Sequence, residues 1–299
     1  MPIRPADHGI FASAAGGIAY GAYFAGGYEA ANVATIDKFA FSNDARTTLG
    51  TALSSARTGV QGAANSGVAA YFAGNNTTVD KLAFSDDSRT TLGTGLSQST
   101  EKAGAANSGT AAYFAGGYSG GYSTVVNKFA FSDDSRTTLG TGLSSGRDNG
   151  AGAANSGTAA YFAGGGSHTT VDKFAFSDDS RTTLGTGLSS GREGLAGAAN
   201  SGTAAYFAGG YAAPNVTTVD KFAFSDDGRT TLSTGLSAAL NNLSGAANSG
   251  TAAYFAGGYP ITATVDKFAF PGDGRSTLGT GLSAARFNLG GAANSETLA

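Results

Sequence analysis

Thr170-Val171-Asp172-Lys173-Phe174-Ala175-Phe176-Ser177-Asp178-Asp179-Ser180-Arg181-Thr182-Thr183-Leu184-Gly185 is the stretch whose reading decides the fold. Near-copies begin at Thr35, Thr78, Thr124, Thr218 and Thr264, and the copy at Thr124 carries an extra valine, Val125-Val126. The first half alternates: Asp172, Phe174 and Phe176 point one way, Val171, Lys173 and Ala175 the other. That period of two belongs to a strand, and a helix would scatter the phenylalanines around its axis. Ser177-Asp178-Asp179-Ser180 is a polar turn, after which a threonine-rich run begins at Arg181.

Working outward, each copy sits in a repeat of roughly 46 residues, a period shared by four-stranded propeller blades and helical arrays. Tyr-Phe-Ala-Gly recurs with its phenylalanine at Phe24, Phe72, Phe114, Phe162, Phe207 and Phe255. Ala-Ala-Asn recurs with its asparagine at Asn65, Asn107, Asn155, Asn200, Asn248 and Asn294. In the copy from Gly150 there are four segments. Gly150 to Ala154 ends at Asn155-Ser156-Gly157, and Thr158 to Ala163 ends at Gly164-Gly165-Gly166. Thr170 to Phe176 follows, then Arg181 to about Leu188. None has the length of a helix, and Asn-Ser-Gly and Gly-Gly are turn signals between strands.

Four antiparallel strands with two apolar faces must stack on neighbours, in a closed ring or in a line. Gly and Ala in the first segment suit a crowded axis, and Phe and Leu in the third and fourth fill the wider rim. This taper predicts an all-β, six-bladed β-propeller of four-stranded blades, the ring closed by a terminal strand. The first segment has a degenerate copy at 8–17 and a full one at 288–295, so it is present once too often. We read 1–17 as a tail or extra strand and 18–299 as the propeller. Blades begin near 18, 59, 104, 150, 197 and 245, and 287–297 supplies the inner strand of the first.

The blades resemble kelch repeats. The likeness rests on segments such as Tyr113-Phe114-Ala115-Gly116-Gly117-Tyr118 followed by Val126-Asn127-Lys128-Phe129-Ala130-Phe131. Leu49, Leu92, Leu139, Leu184, Leu232 and Leu278 stand in the region of the kelch tryptophan, and Gly74-Asn75 interrupts the double glycine. Ser225-Asp226-Asp227-Gly228-Arg229-Thr230-Thr231-Leu232 is similar to a relaxed Asp-box, a fold element on the turn between third and fourth strands. The Phe-Ala-Gly-Gly and Asp-Lys-Phe-Ala-Phe repeats also resemble those of phage and bacterial propeller proteins.

The repeated charges are read as structural pairs: Asp37 with Arg46, Asp80 with Arg89, Asp172 with Arg181, Asp220 with Arg229, and Asp266 with Arg275. A charge beside a stacked sheet needs a partner, here Arg or the following Lys. Asn127 replaces the aspartate in the third copy. The turn carboxylates bond the turn's own N–H groups. Two adjacent carboxylates supply few of the six to eight oxygens that calcium takes.

An enzyme needs one place where the repeat is broken by unlike catalytic groups. Cysteine is absent, and the two histidines, His8 and His168, cannot build a multi-histidine site. No catalytic residue, metal or cofactor is expected. A net charge of −3 with no cluster of Lys or Arg argues against nucleic acid. No apolar run reaches the roughly 20 residues that span a bilayer, and Met1 to Gly17 lacks the apolar core of a secretory signal.

Variation is concentrated in the loops after the second and fourth segments. Tyr28, Tyr118, Tyr122, His168, Tyr211 and Tyr259 lie in the first set and are the candidate contacts with a ligand or partner. The expected role is a structural or binding propeller, foremost a virion-associated tail-fibre, spike or appendage protein, on the particle or outside the cell. Its partners would be virion components, through a terminus or the loops. A multivalent lectin for cell-surface glycans is the alternative, and a cytoplasmic interaction scaffold the second. Self-association is left open.

Overall fold

The computed structural model describes residues 20–99 and 103–295. These residues form six four-stranded antiparallel sheets and no helix, and the sheets stand as blades in a closed ring: a six-bladed β-propeller. Blade 4 shows the plan. From the axis outward its strands are Ala151–Asn155, Ala159–Ala163, Val171–Ala175 and Arg181–Thr183. The outer strand is shorter than the fourth segment suggests. After Thr183 the chain leaves the sheet, and Leu188 turns back to bury itself against the next blade. An outer edge this short, opened by an arginine, offers little for another sheet to pair with.

The second strand, Ala-Ala-Tyr-Phe-Ala, is buried along its whole length because it lies in mid-sheet with a blade against each face. One apolar cluster fills each seam between blades. At the seam of blades 4 and 5, Tyr161 and Val171 meet Phe207 and Phe222, with Leu188 and Leu195 arriving from the connecting loop. Each buried Phe or Leu contributes about 1.5–3 kcal/mol through removal from water. Since both faces of every sheet are apolar, only the closed ring buries all of them.

Ring closure uses the C-terminal strand. Gly290–Asn294 is the inner strand of blade 1 and pairs antiparallel with Gly21–Ala25, Gly290 opposite Ala25 and Asn294 opposite Gly21. The N-terminal copy of the first segment and the tail 1–17 lie outside the described residues.

The inner strands approach one another across glycines. A Cβ on Gly62, Gly104, Gly152, Gly197, Gly245 or Gly291 would fall inside 3.0 Å of the carbonyl oxygen of the equivalent glycine in the neighbouring blade. Replacing Gly197 by Ala is therefore expected to destabilise the protein by about 3 kcal/mol, because the obstacle is backbone and cannot rotate away. Gly185 has no atom near its would-be Cβ, so Gly185→Ala is the control. Equal melting temperatures for the two variants would refute this account of the axis.

Below the glycines the Asn-Ser-Gly turns form a belt. The Ser66 N–H donates to Ser108 Oγ, Ser108 to Ser156 and Ser156 to Ser201, at 3.0–3.2 Å. The Oδ1 of Asn65, Asn107, Asn155 and Asn200 each accepts from a glycine N–H of the next blade, as Asn107 does from Gly157 at 2.8 Å, and Asn248 Oδ1 accepts from the Ser295 hydroxyl at 3.3 Å. Ser295 joins the belt by donating its N–H to Ser66 Oγ at 2.9 Å, and Asn294 Oδ1 accepts from the Gly67 N–H.

Candidate functional site

Strand direction decides where the variable loops lie. In each blade the inner strand runs toward the belt, the second away, the third toward it and the outer away. The loops after the second and fourth strands thus both emerge on the face opposite the belt. Both variable loop families are gathered there, and the turns that change little between repeats occupy the other face.

The repeated charges belong to the scaffold, with a division of labour among them. The third-strand lysine of each blade reaches the second turn aspartate of the next: Lys38 to Asp87, Lys81 to Asp134, Lys128 to Asp179, Lys173 to Asp227, Lys221 to Asp273 and Lys267 to Asp44, at 2.7–2.9 Å. The second-strand tyrosine donates its hydroxyl to the same carboxylate, as Tyr161 does to Asp227 at 2.7 Å, with the ammonium 5.4 Å from its ring centre. That aspartate has φ near +57° in blades 3–5, a left-handed conformation an Asx residue tolerates, and this turns its side chain toward the neighbour. The first acidic residue of the turn, such as Asp178, instead accepts from the N–H two residues on, Ser180, at 3.0 Å. Hydrogen bonds from Ser180 hold its carboxyl below the usual range.

The third-strand aspartates are fully buried. The arginines paired with them from the sequence stand at the rim, at 3.5 Å for Asp37–Arg46, 3.4 Å for Asp80–Arg89, 3.9 Å for Asp172–Arg181, 4.0 Å for Asp220–Arg229 and 3.5 Å for Asp266–Arg275. The closer partner is another arginine, from the loop that enters the blade. Arg57 reaches Asp80, Arg147 Asp172, Arg192 Asp220 and Arg286 Asp37, at 2.8–3.0 Å, with both members buried. Each of these guanidinium groups also donates to a second-strand carbonyl, such as Phe207 O from Arg192 at 3.1 Å. Burial pushes the Asp172 carboxyl up, but donors from Ser144 and Thr183 and the charge of Arg147 outweigh it, and the net direction is down. Asp37 behaves the same way.

Burial, then the aspartate each one touches, pushes the hydroxyls of Tyr23, Tyr71, Tyr113, Tyr161 and Tyr206 far above the ordinary value of 10.0. A raised folded pKa favours the protonated form, so this stability is complete below pH 10 and is lost as pH climbs toward the folded values. The depressed carboxyls of Asp37 and Asp172 act oppositely. Their contribution is present above the unfolded value of 3.8 and disappears as pH falls through the lower folded one. Melting temperature against pH should show a plateau with a steep alkaline edge beginning near 10 and a shallower acid edge below about 4. A curve flat through the alkaline range would contradict the tyrosine clamps.

The loop face carries the candidate contacts. Tyr118 and Tyr122 face each other across a tight hairpin with ring centres 5.4 Å apart, and Tyr122 is 60% exposed. Tyr28 and Tyr259 both pack on the half-buried Phe287, at 5.4 and 5.7 Å, in a continuous aromatic arc across the seam of blades 6 and 1. Tyr211 is exposed on blade 5 and held by backbone bonds in both directions with Glu193. His168 stands apart on blade 4, half-buried, its N–H donating to Gly165 O. The sequence reading missed Phe287 as the ring that joins two of these tyrosines.

The loops are fastened near the axis. Val60 N–H donates to Asn288 O, Asn288 to Asn242 O, Asn242 to Gly194 O and Gly194 to Asn149 O, linking consecutive loops at 2.6–3.3 Å. The axial cavity they overlie encloses about 60 Å³ between the glycine-bearing inner strands, well below the few hundred Å³ of a small-molecule site. In the loops that follow the fourth segment, burial raises the Asp148 carboxyl, and burial with the Asp148 charge raises that of Glu193. Among the described residues no three His, Cys, Asp or Glu side chains lie together as a metal would require.

No protein-family model matches the chain, and no curated protein matches it. The fold fits a binding or structural role.

Proposed function

We infer that the chain is a non-enzymatic attachment or assembly propeller, carried on an extracellular particle such as a phage tail fibre or spike, and that it makes contact through the loop face. The observation that carries this reading is the gathering of all the variable loops, with exposed tyrosines on four of six blades, onto one face of a scaffold whose other parts repeat almost unchanged. A rigid frame with variable loops is the usual construction of a recognition surface. Tyrosine gives large contact area at small entropic cost, with a hydroxyl for hydrogen bonding. The resemblance of its Phe-Ala-Gly-Gly and Asp-Lys-Phe-Ala-Phe repeats to those of phage and bacterial propeller proteins accords with it.

The test is adsorption of the labelled full chain to cells of the host strain and of unrelated strains. Saturable adsorption is expected, weakened at least about tenfold, roughly 1.4 kcal/mol, when Tyr28, Tyr118, Tyr122, Tyr211 and Tyr259 are all changed to Ser. Undiminished adsorption in a correctly folded variant would sink the loop face as the contact surface. Absence of the chain from purified particles would sink the appendage reading.

A further inference from the structure

The seams differ in what lies between their tyrosines. At the seam of blades 6 and 1, Phe287 stands between Tyr259 and Tyr28 and packs on both rings. At the seam of blades 5 and 6 the corresponding residue is Asn241, and an open groove of about 490 Å³ takes the place of the phenyl ring, between Tyr211 and Pro214 on one side and Tyr259 and Pro260 on the other.

The walls are fixed before anything binds. Asn215 Nδ2 donates to Tyr259 O at 2.9 Å, tying the blade 5 loop to the blade 6 loop. Tyr259 and Asn241 exchange two backbone hydrogen bonds, as do Tyr211 and Glu193. No residue lining the groove is charged. Asn241 Oδ1 is buried in this wall and has no hydrogen-bond partner among the described residues, which leaves an acceptor in need of a donor.

We propose that this groove binds a single neutral pyranose unit of a surface glycan. A pyranose has a C–H face that lies against an aromatic ring and hydroxyl donors around its edge that an asparagine can receive. Two tyrosines, an unpaired amide oxygen, no charge and a volume in the range of small-molecule sites fit that chemistry together. The proposal rests on the loop face being the contact surface and confines sugar binding to one seam of the six.

The experiment is saturation-transfer NMR on the full chain with glucose, galactose, mannose, fucose and N-acetylglucosamine, each titrated separately. At least one is expected to bind saturably, on the order of millimolar. Asn241→Phe copies the adjoining seam and fills the groove, so it should weaken binding at least about tenfold with an unchanged melting temperature. Tyr259→Ala should do the same, which covers the case in which Asn241→Phe disturbs the fold, while Val68→Ala, at an exposed side chain beside the belt on the opposite face, should have no effect. Failure of all five sugars to bind, or equal binding by wild type, Asn241→Phe and Tyr259→Ala, overturns the proposal. If cell adsorption nevertheless persists and is lost in the five-tyrosine variant, the groove is refuted and the loop face is not.

Discussion

A chain truncated after Arg286 is expected to be unable to close its ring. Gly21–Ala25 would lose its partner along five paired positions, from Gly290 opposite Ala25 to Asn294 opposite Gly21. Buried Leu289 and Ala292 would vanish from two seams at once, one on each side of blade 1. The belt would break where Ser295 and Asn294 meet Ser66 and Gly67. These losses act together, because a propeller with one inner strand missing exposes apolar faces on both neighbours. The expected product is aggregated or binds hydrophobic dye, with no cooperative melting transition. A synthetic peptide covering 287–299 should restore a single transition when added in excess, since the complementary edge is already formed by the rest of the chain. A truncated chain that stays monomeric and melts cooperatively near the wild-type temperature would show that the terminal strand is dispensable.

Changing Arg192 to Leu is the second large effect. It leaves Asp220 fully buried without its nearest cation, with Arg229 at 4.0 Å as the remaining charge. Removing one member of a buried pair costs about 3–5 kcal/mol. Asp220→Asn should cost a similar amount, because Arg192 would then be the uncompensated charge. The double change should cost much less than the sum, and a double-mutant cycle in urea measures the difference. The chain contains both halves of this experiment. Thr100 stands at the arginine position of the loop entering blade 3, and the third-strand residue there is Asn127, neutral like its would-be partner. The loop entering blade 6 has Leu240 instead of arginine and yet keeps Asp266, whose carboxylate accepts from the Ser237 N–H at 2.8 Å, the Ser237 hydroxyl at 2.9 Å and Thr277 at 2.6 Å. Hydroxyl and amide donors can therefore carry part of the load, and the lower end of the range applies to Arg192→Leu. Additive single-change costs would show that the pair is not coupled.

The scaffold was legible because one stretch, repeated, exposes its own periodicity. Alternation in Val171–Ala175 announces a strand, Asn-Ser-Gly announces a turn, and the surplus first segment announces closure. The chemistry between blades was not legible, since period-two reasoning says which face a residue occupies and not what stands across the seam. Lys173 and Asp227 lie in different repeats, and the two turn aspartates separate only through backbone conformation. Arg57, Arg147, Arg192 and Arg286 belong to the variable loops after the fourth segment, and nothing in a single repeat marks them as partners of a buried strand aspartate. A signal did exist: where the loop arginine is replaced by Thr100, the strand aspartate is replaced too. The candidate site was half legible. Its tyrosines and its two loop families could be named, and antiparallel alternation puts both families on one face. The groove depends on Asn241 in place of Phe287, a difference that matters only once both are placed between tyrosines.

The pairing of Gly21 with Asn294 has one more consequence. Both residues lie at the belt end of blade 1, so the described chain enters and leaves the ring through a single side, and the tyrosine loops open on the other. A body joined directly at Tyr20 or Ser295, the ends of the described chain, would therefore attach on the belt side of the ring, opposite the tyrosine loops.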